Sequence, residues 1–211
     1  MTRKLIYAIL VVVFILGIPS WIQPKIILSA KLWILIGIAI VGSLFQPRYD
    51  AFEPSRTIHD RGTALQIIWS IYAVQFLTLL EAALRYPTSM KWGVVSWISL
   101  ALMLLGLCLR SWSFIVLGKY FTWHIDIQTE QTIVNQGPYR LIRHPSYTGA
   151  FLTYFFSTTF FHCWFTAIGA LAVLGLAFTR RIIHEEKILR ISISGYSEYA
   201  KITKAVIPFL L

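Results

Sequence analysis

The feature that most constrains this chain is a run of apolar residues, 147–179, that contains no Lys, Arg, Asp or Glu. A membrane-spanning helix needs about 20 predominantly apolar residues, so the run is too long for one ordinary span. We expect it to fold back at residues 161–164, near its middle. The run therefore predicts two short helices that form a hairpin and return the chain to the side of the membrane it left.

The rest of the chain repeats this alternation of apolar and polar segments. Hydrophobic residues make up 57% of the 211 residues and charged residues 13%, against about 25% charged residues in an ordinary soluble domain. Further spans are predicted at residues 5–22, 26–45, 63–84 and 92–117. The predicted fold class is all-α, a polytopic transmembrane helical bundle of about six spans. Residues 1–117 form four N-terminal spans, and residues 118–211 form a second region.

The net charge of +10 raises the question of nucleic-acid binding. Its distribution argues against that partner, because the cations cluster at the ends of apolar segments, where they meet anionic lipid headgroups. Most of them lie in segments on the side of the N-terminus, so the positive-inside rule places both termini in the cytoplasm. Arg110 lies within a predicted span, and either a functional role or an outward-reaching side chain explains it. Cys108 and Cys163 lack the spacing of a metal site.

Residues 137–147, Gly-Pro-Tyr-Arg-Leu-Ile-Arg-His-Pro-Ser-Tyr, are the most polar and turn-prone segment of the chain. Gly137-Pro138 indicates a turn, and Pro145 suits the first position of the helix that follows. The free N–H groups of such a helix start favour an anion. A belt of aromatic and basic side chains at headgroup level would have a similar composition. From these residues alone both interpretations stay open.

A second polar motif begins directly after the hairpin. Arg181 and Glu185 are four residues apart, so they share one helix face. Because the hairpin returns the chain to the layer of the first motif, we expect the two motifs to form one site. The alternative is an ordinary surface ion pair worth less than about 1 kcal/mol.

Together the two motifs resemble the isoprenylcysteine carboxyl methyltransferase family. The likeness covers about residues 118–211 and leaves out the first four spans. It rests on Arg143-His144-Pro145-Ser146-Tyr147, Arg181-x-x-x-Glu185-Glu186, Thr132-Ile133-Val134, Tyr196-x-x-Tyr199 and Ile207-Pro208-Phe209. The chain departs from the family at Gln131, where His is common, and around Ile193, where it is one residue longer.

The resemblance implies a membrane methyltransferase whose catalytic region is residues 118–211, with a cytoplasmic cofactor site. It implies S-adenosylmethionine as methyl donor and the carboxylate of a prenylated cysteine, or of a similar lipid-linked acid, as acceptor. Arg181 falls on the position that meets the substrate, and Arg181 and Glu185 are the expected catalytic residues. The implied cofactor contacts are Asp126, Gln131, Thr132, Ile133, Val134, Tyr139, His144, Pro145, Ser146, Tyr147 and Glu185.

The chemistry of such a transfer agrees with these residue types. An ionised carboxylate needs no general base to accept a methyl group, only alignment and the removal of water. Three other functions stay open. A phospholipid amine N-methyltransferase would need a base, for which Glu186 or His184 is available. A membrane sterol or enone reductase would bind NADPH instead, and a non-catalytic membrane scaffold would bind no cofactor.

Overall fold

The computed structural model describes residues 13–45, 61–123, 125 and 131–206. Over these residues the regular structure is helical apart from one isolated bridge, between Ile142 and Lys204, which confirms the all-α prediction. The helices are α1 (Val13–Ile22), α2 (Ala30–Phe45), α3 (Thr63–Leu84), α4 (Val94–Leu117), α5 (Pro145–Phe160), α6 (Trp164–Ser192) and α7 (Tyr196–Ile202). Short 3-10 turns occur at Pro24–Leu28, Thr88–Met90, Gly118–Tyr120 and Gly137–Arg140.

Three helices of the described part are long and apolar enough to cross a membrane: α3, α6, and α4 together with its following turn, Val94–Tyr120. Helices α1 and α2 are apolar but shorter there. Helix α5 has 16 residues and is about 24 Å long, less than the hydrocarbon thickness of about 30 Å. These helices are those of an integral membrane protein. The count of six spans and the cytoplasmic termini remain predictions, and residues 5–12 of the first predicted span lie outside the described residues.

The predicted break in the long apolar run is confirmed. Helix α5 ends at Phe160 and α6 begins at Trp164. Glu81 of α3 fixes the start of α6, because its carboxylate accepts hydrogen bonds from the backbone N–H and the hydroxyl of Thr166, at 2.8 and 2.7 Å. A carboxylate at a helix N-terminus is favourable for the helix dipole. The hairpin is therefore held to α3 at its closed end.

A buried lysine joins several segments at the closed end of the hairpin. Lys31 of α2 is fully buried, and its ammonium donates to the carbonyl oxygens of Ser89, Lys91 and Phe160 and to the hydroxyl of Ser96, at 2.7–3.1 Å. A buried ammonium is stable only when its hydrogens are bonded. Lys31 thus connects α2 to the last residue of α5, at the end opposite to the Arg-His-Pro motif.

Helices α4 and α5 pack backbone against backbone at two glycines. A methyl group added at Gly106 would lie 2.6 Å from the carbonyl oxygen of Gly149, and one added at Gly149 would lie 2.5 Å from that of Gly106. Small residues permit such close crossings in membrane proteins. This approach brings Arg110, one helical turn after Gly106, against the start of α5.

We predict that Gly149→Ala destabilises the protein by about 1–3 kcal/mol, the usual cost of overpacking. The helices would have to separate, because the obstructing atoms are backbone atoms of Gly106 and Arg110 and the Cβ of Arg110, which cannot rotate away. Thermal unfolding in detergent should show a melting temperature several degrees below that of the wild type. Gly169→Ala in α6 is the matched control, since an added methyl meets nothing within 4 Å there. An unchanged melting temperature for Gly149→Ala would contradict the proposed packing.

Candidate active site

The two sequence motifs meet at a cleft that offers about 110 Å³ to water-sized molecules. Its walls come from residues 117–122, 125 and 131–134, the start of α5, the polar end of α6 and the segment before and within α7. The predicted site residues that line it are Gln131, Thr132, Ile133, Val134, Tyr139, His144, Ser146, Tyr147, Arg181 and Glu185. Pro145 does not line it but is buried as the first residue of α5, as predicted for a helix start. Asp126 lies outside the described residues.

The hydroxyl of Tyr147 joins the first motif to the second. It donates to Glu185 Oε2 at 2.6 Å and accepts from Arg181 Nε at 3.0 Å. The direct distance between Arg181 Nε and Glu185 Oε2 is 3.7 Å. Both bonds of the Tyr147 hydroxyl are therefore shorter than the direct contact between the two charged side chains. The prediction that the hairpin brings the two motifs together is confirmed.

Arg181 is held in a fixed orientation. Its side chain is only 4% exposed, which rules out an ordinary surface ion pair. Its Nη1 donates to the hydroxyl of Thr63 and its Nη2 to the carbonyl oxygen of Trp123, both at 2.9 Å. Together with the bond from Nε to Tyr147, these contacts orient the planar guanidinium from three directions.

A second, smaller cavity lies beside Arg181 and Tyr147. It is bordered by α3, α4 and α6 through Ala64, Ile67, Arg110 and Phe178, and also by Trp123. The residues that it shares with the cleft are Phe121, Thr122, Ser146, Tyr147 and Arg181. It offers about 30 Å³ to water-sized molecules. Since one water needs about 10–15 Å³ by this measure, there is room for a group of the size of a carboxylate. Two arginines border this space.

Arg110 is one of these two arginines. The guanidinium of Arg110 donates through Nη1 to the carbonyl and hydroxyl oxygens of Ser146, at 3.1 and 3.3 Å, and it packs over the ring of Phe114. The residue is buried. This position agrees with a functional role and not with a side chain that reaches outward to the interface.

Comparison with known proteins identifies the family. Residues 98–191 match the Isoprenylcysteine carboxyl methyltransferase (ICMT) family. A probable protein-S-isoprenylcysteine O-methyltransferase of Oryza sativa subsp. indica is 32% identical over 146 residues, which cover 66% of this chain and 76% of that protein. Protein-S-isoprenylcysteine O-methyltransferase B of Arabidopsis thaliana is 36% identical over 121 residues, 54% of this chain and 61% of the relative. The chain belongs to the isoprenylcysteine carboxyl methyltransferase family. It is therefore a membrane methyltransferase.

In this methyltransferase Glu186, the second acid of the family motif, is not among the residues that line either cavity. Its carboxylate accepts from Arg143 Nε at 2.7 Å and from Arg190 at 3.2 Å, and it lies 3.2 Å from His144 Nε2. A carboxylate held by two guanidinium groups is a poor proton acceptor. His184, the other base considered for an amine acceptor, is not among the residues that line either cavity.

Arg143 also secures the C-terminal segment of the methyltransferase, residues 193–206. Its guanidinium donates to the carbonyl oxygens of Ala200, at 3.1 Å, and Thr203. The backbone N–H groups of Arg143 and His144 donate to Lys204 and Ala205, at 2.8 and 3.0 Å. These two N–H groups, directly before α5, are therefore engaged with the chain itself and not open to an anion.

The C-terminal segment completes the wall of the cleft with two tyrosines, Tyr196 and Tyr199. The hydroxyl of Tyr199 donates to the carbonyl oxygen of Tyr139 at 2.5 Å. Burial and the nearby carboxylate of Glu185 raise the pKa of the Tyr139 phenol; burial and the carboxylates of Glu186 and Glu185 do the same for Tyr196. Both phenols therefore stay protonated near neutral pH. Sequence reasoning used the two C-terminal tyrosines only as part of the resemblance and did not assign them to the site.

We predict that Arg143→Gln loosens the C-terminal segment, because glutamine cannot reach Glu186 and the two carbonyl oxygens together. Hydrogen–deuterium exchange should be faster in α7, by about tenfold or more, since a charged group's hydrogen bonds are worth about 1.5–3 kcal/mol. Arg190→Gln is the control: it removes another guanidinium from Glu186, but one that is 45% exposed. Equal protection of α7 in wild type and Arg143→Gln would contradict this role.

Proposed function

We propose that this protein transfers a methyl group from S-adenosylmethionine to the carboxylate of a prenylated cysteine or a similar lipid-linked acid. The observation that carries the proposal is that an open cleft with an acidic residue and a small cavity with two arginines meet at Tyr147 and Arg181. The methyl group of a donor in the cleft would therefore lie beside a carboxylate in the small cavity. Family membership and the names of the relatives support the reaction and the acceptor class.

The cleft suits a cationic donor with a flat aromatic base. Glu185 is 26% exposed at the side chain and faces the cleft, where its carboxylate would bind an ammonium or balance a sulfonium charge. Tyr139, Tyr196 and Tyr199 add aromatic surface for packing. When bound, S-adenosylmethionine would supply an electrophilic methyl group. Every sequence-predicted cofactor residue that lines the cleft remains a proposed contact.

The small cavity suits an anionic acceptor group. Arg181 and Arg110 would each donate charge-assisted hydrogen bonds to one oxygen of a carboxylate, and leave the other oxygen free to react. Because Arg181 is buried and held by three groups, it would orient the carboxylate with little rearrangement. Burial also keeps water from the nucleophile. Since the carboxylate is already ionised, the site needs no base, in agreement with the engaged state of Glu186.

The prenyl chain of the acceptor would lie toward the bilayer. Ile67 and Phe178, on the apolar helices α3 and α6, border the small cavity. A cavity of about 30 Å³ cannot enclose an isoprenoid, so the chain would pass beyond these side chains into apolar surroundings. The donor is water-soluble, and we place the cleft and both termini on the cytoplasmic side, where most basic residues lie.

We predict that the wild type binds S-adenosylmethionine and methylates a farnesylated cysteine derivative. Arg181→Ala should lower kcat by about 100-fold or more, since an oriented charge at the reacting group is worth about that much, and should leave the donor Kd within a few-fold. Calorimetry and a radiolabelled methyl-transfer assay would measure the two quantities. Arg180→Ala is the control, because this neighbouring arginine is exposed and donates to the side chain of Gln66 and the carbonyl oxygen of Arg61.

Two results would contradict the proposal. One is a wild-type protein that does not bind S-adenosylmethionine. The other is methylation of phosphatidylethanolamine in place of the farnesylated cysteine, because that would require an amine acceptor and a base. A parallel loss of donor affinity and turnover in Arg181→Ala would show that Arg181 binds the donor instead of the acceptor.

A further inference from the structure

The N-terminal spans also contribute to the site. The part of the chain that matches the family model, residues 98–191, does not include α3. Three residues at the start of that helix are Thr63, Ala64 and Ile67. Yet Thr63 bonds to Arg181, and Ala64 and Ile67 border the small cavity. We infer that the first turn of α3 is part of the acceptor site, with Thr63 as a positioning residue for Arg181 and Ala64 as a limit on acceptor size. This inference rests on the proposed function.

Thr63 holds one edge of the Arg181 guanidinium. It is the first residue of α3 and is fully buried, and its hydroxyl accepts from Arg181 Nη1 at 2.9 Å. The other two directions are held by the carbonyl oxygen of Trp123 and the hydroxyl of Tyr147. Loss of the threonine hydroxyl would leave one edge of the guanidinium without this acceptor in a buried place. The group would then turn away from the geometry that a carboxylate needs.

Thr63 lies at one of two places where α3 is hydrogen-bonded to α6. Glu81, near the other end of the same helix, bonds to the start of α6, which carries Arg181 further along. Helices α3 and α6 are thus tied at both ends, once by Glu81 with Thr166 and once by Thr63 with Arg181. Of these two contacts, the bond between Thr63 and Arg181 is the one that involves a residue of the proposed acceptor site.

Ala64 is a buried alanine beside the small cavity. The space is about 30 Å³, so a larger side chain at this position would take up room that the carboxylate of the acceptor requires. The donor cleft is bordered by other residues and does not include Ala64. A substitution at Ala64 is therefore expected to change acceptor binding without changing donor binding.

The test compares Thr63→Val, Thr63→Ser and Ala64→Val in the full-length protein. Valine has nearly the shape of threonine without the hydroxyl, and serine keeps the hydroxyl. We expect Thr63→Val to lower kcat for a farnesylated cysteine by about 10- to 100-fold, the effect of a misaligned reacting group, and Thr63→Ser to retain most activity. Ala64→Val should raise the acceptor KM. The Kd for S-adenosylmethionine should stay within a few-fold of wild type in all three.

Thr78→Val is the matched control, because Thr78 is fully buried in the same helix and its hydroxyl bonds to the carbonyl oxygen of Val74, within the helix. Wild-type turnover in Thr63→Val, or an equal loss in Thr78→Val, would overturn the inference. So would a loss of donor binding in Thr63→Val as large as the loss of turnover. A wild type that binds no S-adenosylmethionine would overturn the proposed function, and this inference with it.

Discussion

The hydroxyl of Tyr147, between Arg181 and Glu185, is the contact on which the site depends. It lies at the start of α5, and its two partners lie at the polar end of α6. These residues can meet only because the chain turns back between Phe160 and Trp164. The close approach of Gly106 to Gly149 then sets the start of α5 against α4. The geometry of two helix contacts thus determines where three polar side chains meet.

Tyr147 and Arg181 line both the cleft and the small cavity. Glu185 faces the cleft, and the guanidinium groups of Arg110 and Arg181 border the small cavity. A cationic donor beside Glu185 and an anionic acceptor beside the two arginines would therefore meet next to Tyr147 and Arg181, as the proposed transfer requires. In a buried, weakly polar place such interactions are stronger than at a surface. The proposed reaction needs no general base, because an ionised carboxylate has no proton to lose before it accepts the methyl group.

Local patterns in the sequence predicted the parts of the fold that depend on neighbouring residues. The break in the apolar run, Pro145 as the first residue of α5 and the shared face of Arg181 and Glu185 all follow from composition and helical spacing. The number of spans does not, because α5 is shorter than a bilayer. Distant contacts were also beyond prediction. The carbonyl oxygens that bind Arg143 and Lys31 leave no mark in a sequence, and the threonine that orients Arg181 looks like any residue at a helix start.

The roles of charged residues were predictable only where a family motif named them. Arg110 was left between two explanations, since a sequence does not reveal which way a side chain points from a helix; the structure directs it to Ser146. Glu186 looked available as a base, but its partners come from the first motif, 43 positions earlier, as well as from its own helix. Burial and long-range pairing decide both cases.

The central claim is that the donor binds in the cleft and the acceptor carboxylate in the small cavity, with the reacting atoms in contact beside Tyr147 and Arg181. A structure with S-adenosylhomocysteine and a farnesylated cysteine bound together would test it most directly. The account predicts the homocysteine sulfur in the cleft on the side of Glu185, and the acceptor carboxylate in the small cavity within hydrogen-bond distance of Arg181. An acceptor carboxylate bound in the cleft, or paired with Arg143 in place of Arg181, would contradict it.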